Sequence, residues 1–175
     1  MPQPMFQTGR LLLRPFDRED APRIQELAGD KRIADPTLSI PHPYPDGAAE
    51  VWIASHRDGW DRGTLASFAV TLSKTSELIG AISLMDVDAE SAELGYWIGV
   101  PYWGMGYASE AASATCEFAF RTLKVHRVYA RHLIANPASG SVLIKSGFSC
   151  RGNEVIDDWK DGRSAQVKSY ERRKV

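Results

Sequence analysis

The stretch GYWIGVPYWGMGYASEAA, residues 95–112, decides how this chain is read. A β-run ends at residue 100, a short aromatic turn follows, and Gly104-x-Gly106 opens a helix. The first turn of a helix exposes N–H groups that have no intrahelical partner and carries a partial positive charge, so it binds phosphate. Glycines just ahead of it let the main chain approach a pyrophosphate closely. The amides near Gly104, Met105, Gly106, Tyr107 and Ala108 are therefore placed to meet a ligand that carries a pyrophosphate. A bare G-x-G otherwise makes only a tight turn. Two nucleotide signatures are missing. Ser109 stands where G-x-G-x-x-G needs its third glycine, with no acidic residue about 20 residues on at a strand end, and there is no Gly-Lys-Ser/Thr phosphate loop. A dinucleotide-binding oxidoreductase is disfavoured accordingly.

Upstream lie three β-rich runs, LASFAVTLS (65–73), ELIGAISLMDV (77–87) and SAELGYWIGV (91–100). The polar break Lys74-Thr75-Ser76 predicts an antiparallel hairpin. Glu93 lies on the strand that enters the loop and shares strand parity with Gly95, Trp97 and Gly99 if no bulge intervenes. Two glycines in one β-run suit a bulge and close ligand approach, or simply relieve crowding beside Tyr96 and Trp97. Downstream, helical spacing of small and apolar residues predicts a helix over 107–122. A strand over 125–133 follows, then a short helix over 137–146 ended by Gly147. Asn136 is its natural N-cap and Pro137 its first residue. Residues 148–151 and 165–171 read as a closing hairpin. Asp157, Asp158 and Asp161 between them form either a solvated turn or a lure for a cationic acceptor.

At the N-terminal end, 9–15 reads as an edge strand stopped by Pro15. Asp20, preferred to Asp17 because Pro22 suits a first turn, caps a helix running to about Leu27. Four prolines rule out a helix over 35–46 and make it an ordered loop, where His42 and Tyr44 are candidates to wall a substrate pocket. A second helix is expected from Gly47 to about Asp58. The order β-α-α-β-β-β-α-β-α-β-β is that of one mixed α/β domain spanning residues 1–175.

Bulk properties exclude several classes. Hydrophobic residues make up 43% and charged residues 25%, as in soluble globular proteins. A net charge of −1 offers no basic field for nucleic acid. Cys116 and Cys150 form no C-x-x-C and have no histidine cluster beside them, so no metal is expected and a reduced, cytoplasmic pair is the simpler reading. No apolar leader core and no membrane-length apolar run is present.

Taken together, AELGYWIGVPYWGMGYASEA and HRVYARHLIANPASGSVLIKSGF, with GRLLLRPFDREDA and FAVTLSKTSELIGAISL, resemble the RimJ/RimL-like branch of the GNAT acetyltransferases over about residues 7–171. The resemblance implies a GNAT fold: a mostly antiparallel mixed sheet of six to seven strands, about four helices, and a splayed strand pair that binds acetyl-coenzyme A. It implies transfer of an acetyl group to a primary amine, directly, in a ternary complex. The acceptor it points to is a protein N-terminal α-amine of the ribosomal-protein type, with a polyamine or antibiotic amine, or a non-catalytic acyl-coenzyme A sensor, as alternatives. A homodimer is common in such proteins. The implied general base is Glu93. The implied cofactor contacts are Trp97, Ile98, Gly99, Trp103, Gly104, Met105, Gly106, Tyr107, Ala108, Ser109, Asn136, Ser139 and Ser141. Among these, a backbone N–H near Trp97 or Ile98 meets the acetyl carbonyl, and Asn136 meets the pantetheine amides. Ser139, the implied catalytic partner of Glu93, hydrogen-bonds the departing thiolate sulfur and donates a proton to it, with Ser141 as its competitor. Many members carry Gln or Arg three residues before the first loop glycine; here that residue is Pro101, so the backbone amides alone would bind the phosphates.

Overall fold

Leu11, Leu13, Phe68, Val70, Ile82, Leu84 and Leu94 are almost wholly shielded from solvent and fall on one face of a single sheet, as the period-2 alternation of their strands requires. The computed structural model describes residues 2–157, 160 and 162–175. Its strands are β1 (Phe6–Gln7), β2 (Leu11–Arg14), β3 (Ala66–Leu72), β4 (Leu78–Met85), β5 (Ser91–Ile98), β6 (Arg127–Leu133), β7 (Ser149–Ile156) and β8 (Ala165–Arg173). Its helices are α1 (Ala21–Ala28), α2 (Lys31–Ala34), α3 (Ala48–Asp61), α4 (Tyr107–Phe118) and α5 (Pro137–Lys145). The spatial order is β1-β2-β3-β4-β5-β6-β8-β7, and every neighbouring pair is antiparallel except β5 with β6.

This is the mixed, mostly antiparallel sheet expected, with one strand and one helix beyond the expected numbers. The two-residue β1 and the single turn α2 are too short to show a hydrophobic period, which is why the pattern of the sequence misses them. Asp17, not Asp20, is the side-chain cap at the first helix. A three-residue 3₁₀ turn precedes α1, so the cap sits one turn earlier: Asp17 accepts from the Glu19 N–H. The Asp20 carboxylate turns back to accept from the Asp17 N–H and from both ends of the Arg14 guanidinium, at 2.8 Å each. Of the acidic cluster near the C-terminal hairpin, Asp158 and Asp161 lie outside the described residues, and Asp157 accepts from Ser164.

Two layers cover the sheet. On one face α4 lays Ala111, Ala112, Cys116 and Phe118 against the large apolar cluster. Small residues on that stripe let the helix axis approach closely. On the other face α1 and α3 bury Ile24, Leu27, Ala28 and Ala49 over Ala69 and Leu78. Among the described residues no helix is long and apolar enough to cross a membrane.

The feature that positions the site is the parting of β5 from β6. Their parallel pairing runs only from Ser91↔Arg127 to Glu93↔Tyr129, after which β5 continues to Ile98 and β6 to Leu133 unpaired with each other. The bulge expected in β5 is absent: its register with β4 is unbroken from Gly80↔Ile98 to Met85↔Glu93. The opening arises from lost pairing with β6 instead. Register shifts lie elsewhere: between β3 and β4, where Val70 pairs with Gly80 and Thr71 with Leu78, and between β7 and β8 at Cys150 and Gly152.

Candidate active site

Along β5 the peptide groups alternate in direction. Gly99 donates to Ile79 O at 2.8 Å, so residues 93, 95, 97 and 99 address β4. The even residues address β6, as Glu90 does in accepting from Arg127 at 3.0 Å. Beyond Glu93 there is no β6 to receive them, and the N–H groups of Tyr96 and Ile98 face the open gap. Of the two amides suggested by sequence, Ile98 is the one directed there; that of Trp97 lies in the β4 ladder. The Ile98 carbonyl is taken by the Trp103 indole N–H at 2.6 Å.

Side chains alternate likewise. Glu93, Gly95 and Trp97 share a face with Met85, Ser83 and Ala81 and form the floor of a cavity of about 430 Å³. Ile24 and Ala28 of α1, Trp52 of α3, and Leu38, Ile40 and Tyr44 of the proline-rich loop wall it, and through the gap it reaches Tyr96, His132, Asn136 and Ser139. His42, by contrast, is exposed and is not among the lining residues, and the same holds for Trp103. The proline-rich loop thus brings Tyr44 in and leaves His42, two residues earlier, outside. Burial pushes the Tyr44 hydroxyl above its usual pKa.

Glu93 is neither a free carboxylate nor an exposed strand residue. It is 6% exposed, and Arg131 of β6 grips it with both ends of its fork, Nε to Oε1 at 2.9 Å and a terminal nitrogen to Oε2 at 3.0 Å. That hydrogen bonding raises the guanidinium's already high pKa. Each carboxylate oxygen keeps a second lone-pair site for an acceptor in the cavity. Arg131 was missed from sequence because the pair joins residues 38 apart across a parallel register that periodicity does not reveal.

Ser139 lies in the first turn of α5, and Asn136 caps that turn, accepting from the Ser139 N–H at 3.4 Å while donating to Pro36 O at 3.4 Å. The Ser139 hydroxyl meets the Tyr96 hydroxyl at 2.8 Å. Ser141 is exposed and donates to Pro137 O, away from the cavity. Tyr96 is the other residue that sequence reading passed over: the short helix holds no tyrosine, and this one arrives from β5.

The loop before α4 has the conformation its glycines permit. Gly104 and Gly106 have φ of 74° and 81°, which L side chains rarely adopt. Gly106 is the N-cap, with no side chain to satisfy the first turn. Met105, Tyr107, Ala108 and Ser109 follow this path, and the Ser109 carbonyl accepts from Ser146. Arg10, just before β2, clamps the loop from outside, donating to Met105 O at 2.9 Å and to Glu110 at 2.7 Å while stacking over the Tyr107 ring. Tyr102, just ahead of the loop, is held by Arg23 at 2.7 Å and by Glu77. The helix start therefore presents its amides from a fixed frame, with Pro101 in place of a side-chain phosphate ligand. Uncapped helix start, two strand amides directed toward the gap and a hydroxyl at the next helix start suit the pyrophosphate, thioester carbonyl and sulfur of acetyl-coenzyme A. Among the described residues no group of three metal-ligating side chains occurs.

Gly80 keeps this frame open. A Cβ there would lie 2.3 Å from Trp97 O and 3.0 Å from Ile98 Cα. Gly80→Ala is expected to displace β5 at the gap, destabilise the fold by about 1–3 kcal/mol, and weaken coenzyme A binding. Urea unfolding and calorimetric titration check this; wild-type values in both would show that β5 yields without cost.

Comparison with known proteins is consistent with this geometry. Residues 10–149 match the family model described as an acetyltransferase (GNAT) domain. The chain is 36% identical over 151 residues to the uncharacterized N-acetyltransferase YoaA of Bacillus subtilis, covering 85% of each chain. It is 27% identical to the [ribosomal protein uS5]-alanine N-acetyltransferase of Escherichia coli, covering 92% of this chain and 89% of that one. Among solved structures, spermidine N-acetyltransferase from Vibrio cholerae in complex with coenzyme A and spermine superposes with a TM-score of 0.79 at 22% identity, covering 95% and 96% of the two chains.

Proposed function

Because the chain belongs to the GNAT family and is an acetyl-coenzyme A-dependent N-acetyltransferase, we propose that its acceptor is the α-amine at a protein N-terminus, acetylated by direct attack in a ternary complex. The charge inventory of the cavity supports this. Among its described lining residues, the carboxylate of Glu93 is the only one, and Arg131 neutralises it at 2.9 Å. The rest of the wall is largely apolar or aromatic, including Ile24, Leu38, Ile40, Trp52 and Trp97. A polyamine carries several ammonium groups and needs several carboxylates to replace their water. A peptide N-terminus brings one amine with a small side chain, which such a wall accommodates. The relative that acts on ribosomal protein uS5 at alanine points the same way.

In this proposal each group has a defined task. The first-turn amides of α4 bind the pyrophosphate, and Asn136 meets the pantetheine. The Ile98 N–H polarises the acetyl carbonyl and holds the oxyanion that forms on it. Glu93 accepts the amine proton, directly or through one water. Ser139 hydrogen-bonds the thiolate as the C–S bond breaks. No cysteine lines the described cavity, and burial pushes the Cys116 thiol up to about 12. Neither thiol is therefore placed to carry the acetyl group in a covalent intermediate. The two free cysteines suit a cytoplasmic setting.

Kinetics with short peptides starting in alanine or serine, run beside spermidine and spermine, test the acceptor. A higher kcat/KM for the peptides is expected. A preference for spermidine would overturn the N-terminal assignment and leave acetyl transfer intact.

A further inference from the structure

Two hydroxyls from distant parts of the chain meet at the edge of the gap. The Tyr96 hydroxyl is 2.8 Å from Ser139 Oγ and 3.1 Å from the Ser139 carbonyl oxygen. Building on the proposed role of Ser139 at the sulfur, we propose that Tyr96 is a positioning residue for thiolate departure, its phenolic O–H releasing the serine proton toward the leaving sulfur.

The geometry allows two bonding arrangements without any heavy atom moving. In the first, Tyr96 donates to the Ser139 carbonyl and the serine hydroxyl donates to the phenol oxygen, so the serine proton is in use. In the second, Tyr96 donates to Ser139 Oγ and the serine proton is free to point into the gap. An emerging thiolate selects the second, because a hydrogen bond to an ionised acceptor is roughly twice as strong as one between neutral groups. The tyrosine acts as donor in both arrangements and must keep its proton. Desolvation of the phenol pushes its pKa up to about 12, which secures this. A phenol that weakly acidic does not hand its proton to a thiolate; its contribution is the orientation of the serine.

The turn that carries Ser139 is also fixed in height. Gly140 sits directly on the buried His132–Tyr170 pair, and a Cβ there would come within 2.8 Å of both His132 Nε2 and the Tyr170 hydroxyl. The helix start adds its own partial positive charge beside the sulfur. Phenol and serine therefore converge on one point from two elements, β5 and the first turn of α5.

The probe is coenzyme A itself, so the test needs no acceptor. The ultraviolet absorbance of the bound thiolate is titrated with pH in wild type, Tyr96→Phe, Ser139→Ala and the double variant. Wild type is expected to lower the thiol pKa below that of free coenzyme A, with each single variant reversing that by roughly one unit, about the effect of one donated hydrogen bond. The double variant is expected to match Ser139→Ala, since the phenol acts through the serine. A Tyr96→Phe titration identical to wild type, or losses that add in the double variant, would overturn the proposal. Phenylalanine keeps the ring, and Glu93, Arg131 and His132 nearby are unchanged, so a thermal melt suffices to confirm folding. Failure of wild type to bind coenzyme A would sink the acetyl-coenzyme A assignment as well; normal binding with an unshifted titration sinks this proposal alone.

Discussion

Glutamine at position 93 is expected to slow thiol release from acetyl-coenzyme A by ~10²–10⁴-fold, the usual range for losing a general acid or base. The substitution keeps the shape of the side chain and one of the two acceptors that Arg131 uses. It also strips the guanidinium of its counter-charge, and an ion pair broken on one side is costly when buried. Arg131 keeps 28% of its side-chain surface, which moderates that penalty. The two effects separate in a cycle with Arg131→Gln. If Glu93 accepts the amine proton, Arg131→Gln alone retains most of the kcat and the double variant stays as slow as Glu93→Gln. Recovery of rate in the double variant would mean that the carboxylate serves only to neutralise Arg131.

The second large effect concerns stability. His56 on α3 is 6% exposed, neither ring nitrogen has a hydrogen-bond partner among the described residues, and Trp52 and Phe16 pack against the ring. Burial with nothing to share the charge lowers its pKa from 6.5 to about 4. The unfolded chain therefore binds a proton that the folded chain refuses between those values. Stability is full above pH 6.5 and falls as the pH drops toward 4. The loss amounts to about 3 kcal/mol in all, the free-energy equivalent of that pKa difference. Urea unfolding at stepped pH measures this. His56→Phe, which fills the site without a titrating group, should flatten the slope over this range, and an unchanged slope would assign the acid sensitivity to other groups. Because Trp52 lines the acceptor cavity, the same acid step is expected to loosen that wall first.

Local chemistry made most of this fold readable. Gly104-x-Gly106 and Asn136-Pro137 mark two helix starts through conformations that few other residues adopt, and both helices begin where those residues place them. β-rich runs separated by short polar breaks marked β3, β4 and β5. What stayed hidden depends on register or on brevity. The Glu93–Arg131 pair needs the alignment of two parallel strands, and the Tyr96–Ser139 contact joins residues 43 apart through a gap that exists only because pairing stops at Tyr129. The bulge inferred from Gly95 and Gly99 failed for a related reason. Those glycines permit close approach: a Cβ on Gly95 would lie 2.8 Å from Met85 Cε, and one on Gly99 2.9 Å from Leu27. Such packing favours a small residue without adding one to the strand. His42 and Tyr44, equivalent by sequence, part only when the loop folds.

The most direct test of acetyl transfer in the β5–β6 cleft is thiol release by the purified protein from acetyl-coenzyme A with an alanine-first peptide, followed by mass spectrometry of the peptide. The expected result is one acetyl group on the α-amine for each thiol released. Coenzyme A that binds tightly while no peptide, polyamine or aminoglycoside yields thiol would contradict it, and would mark the cleft as a sensor of acyl-coenzyme A.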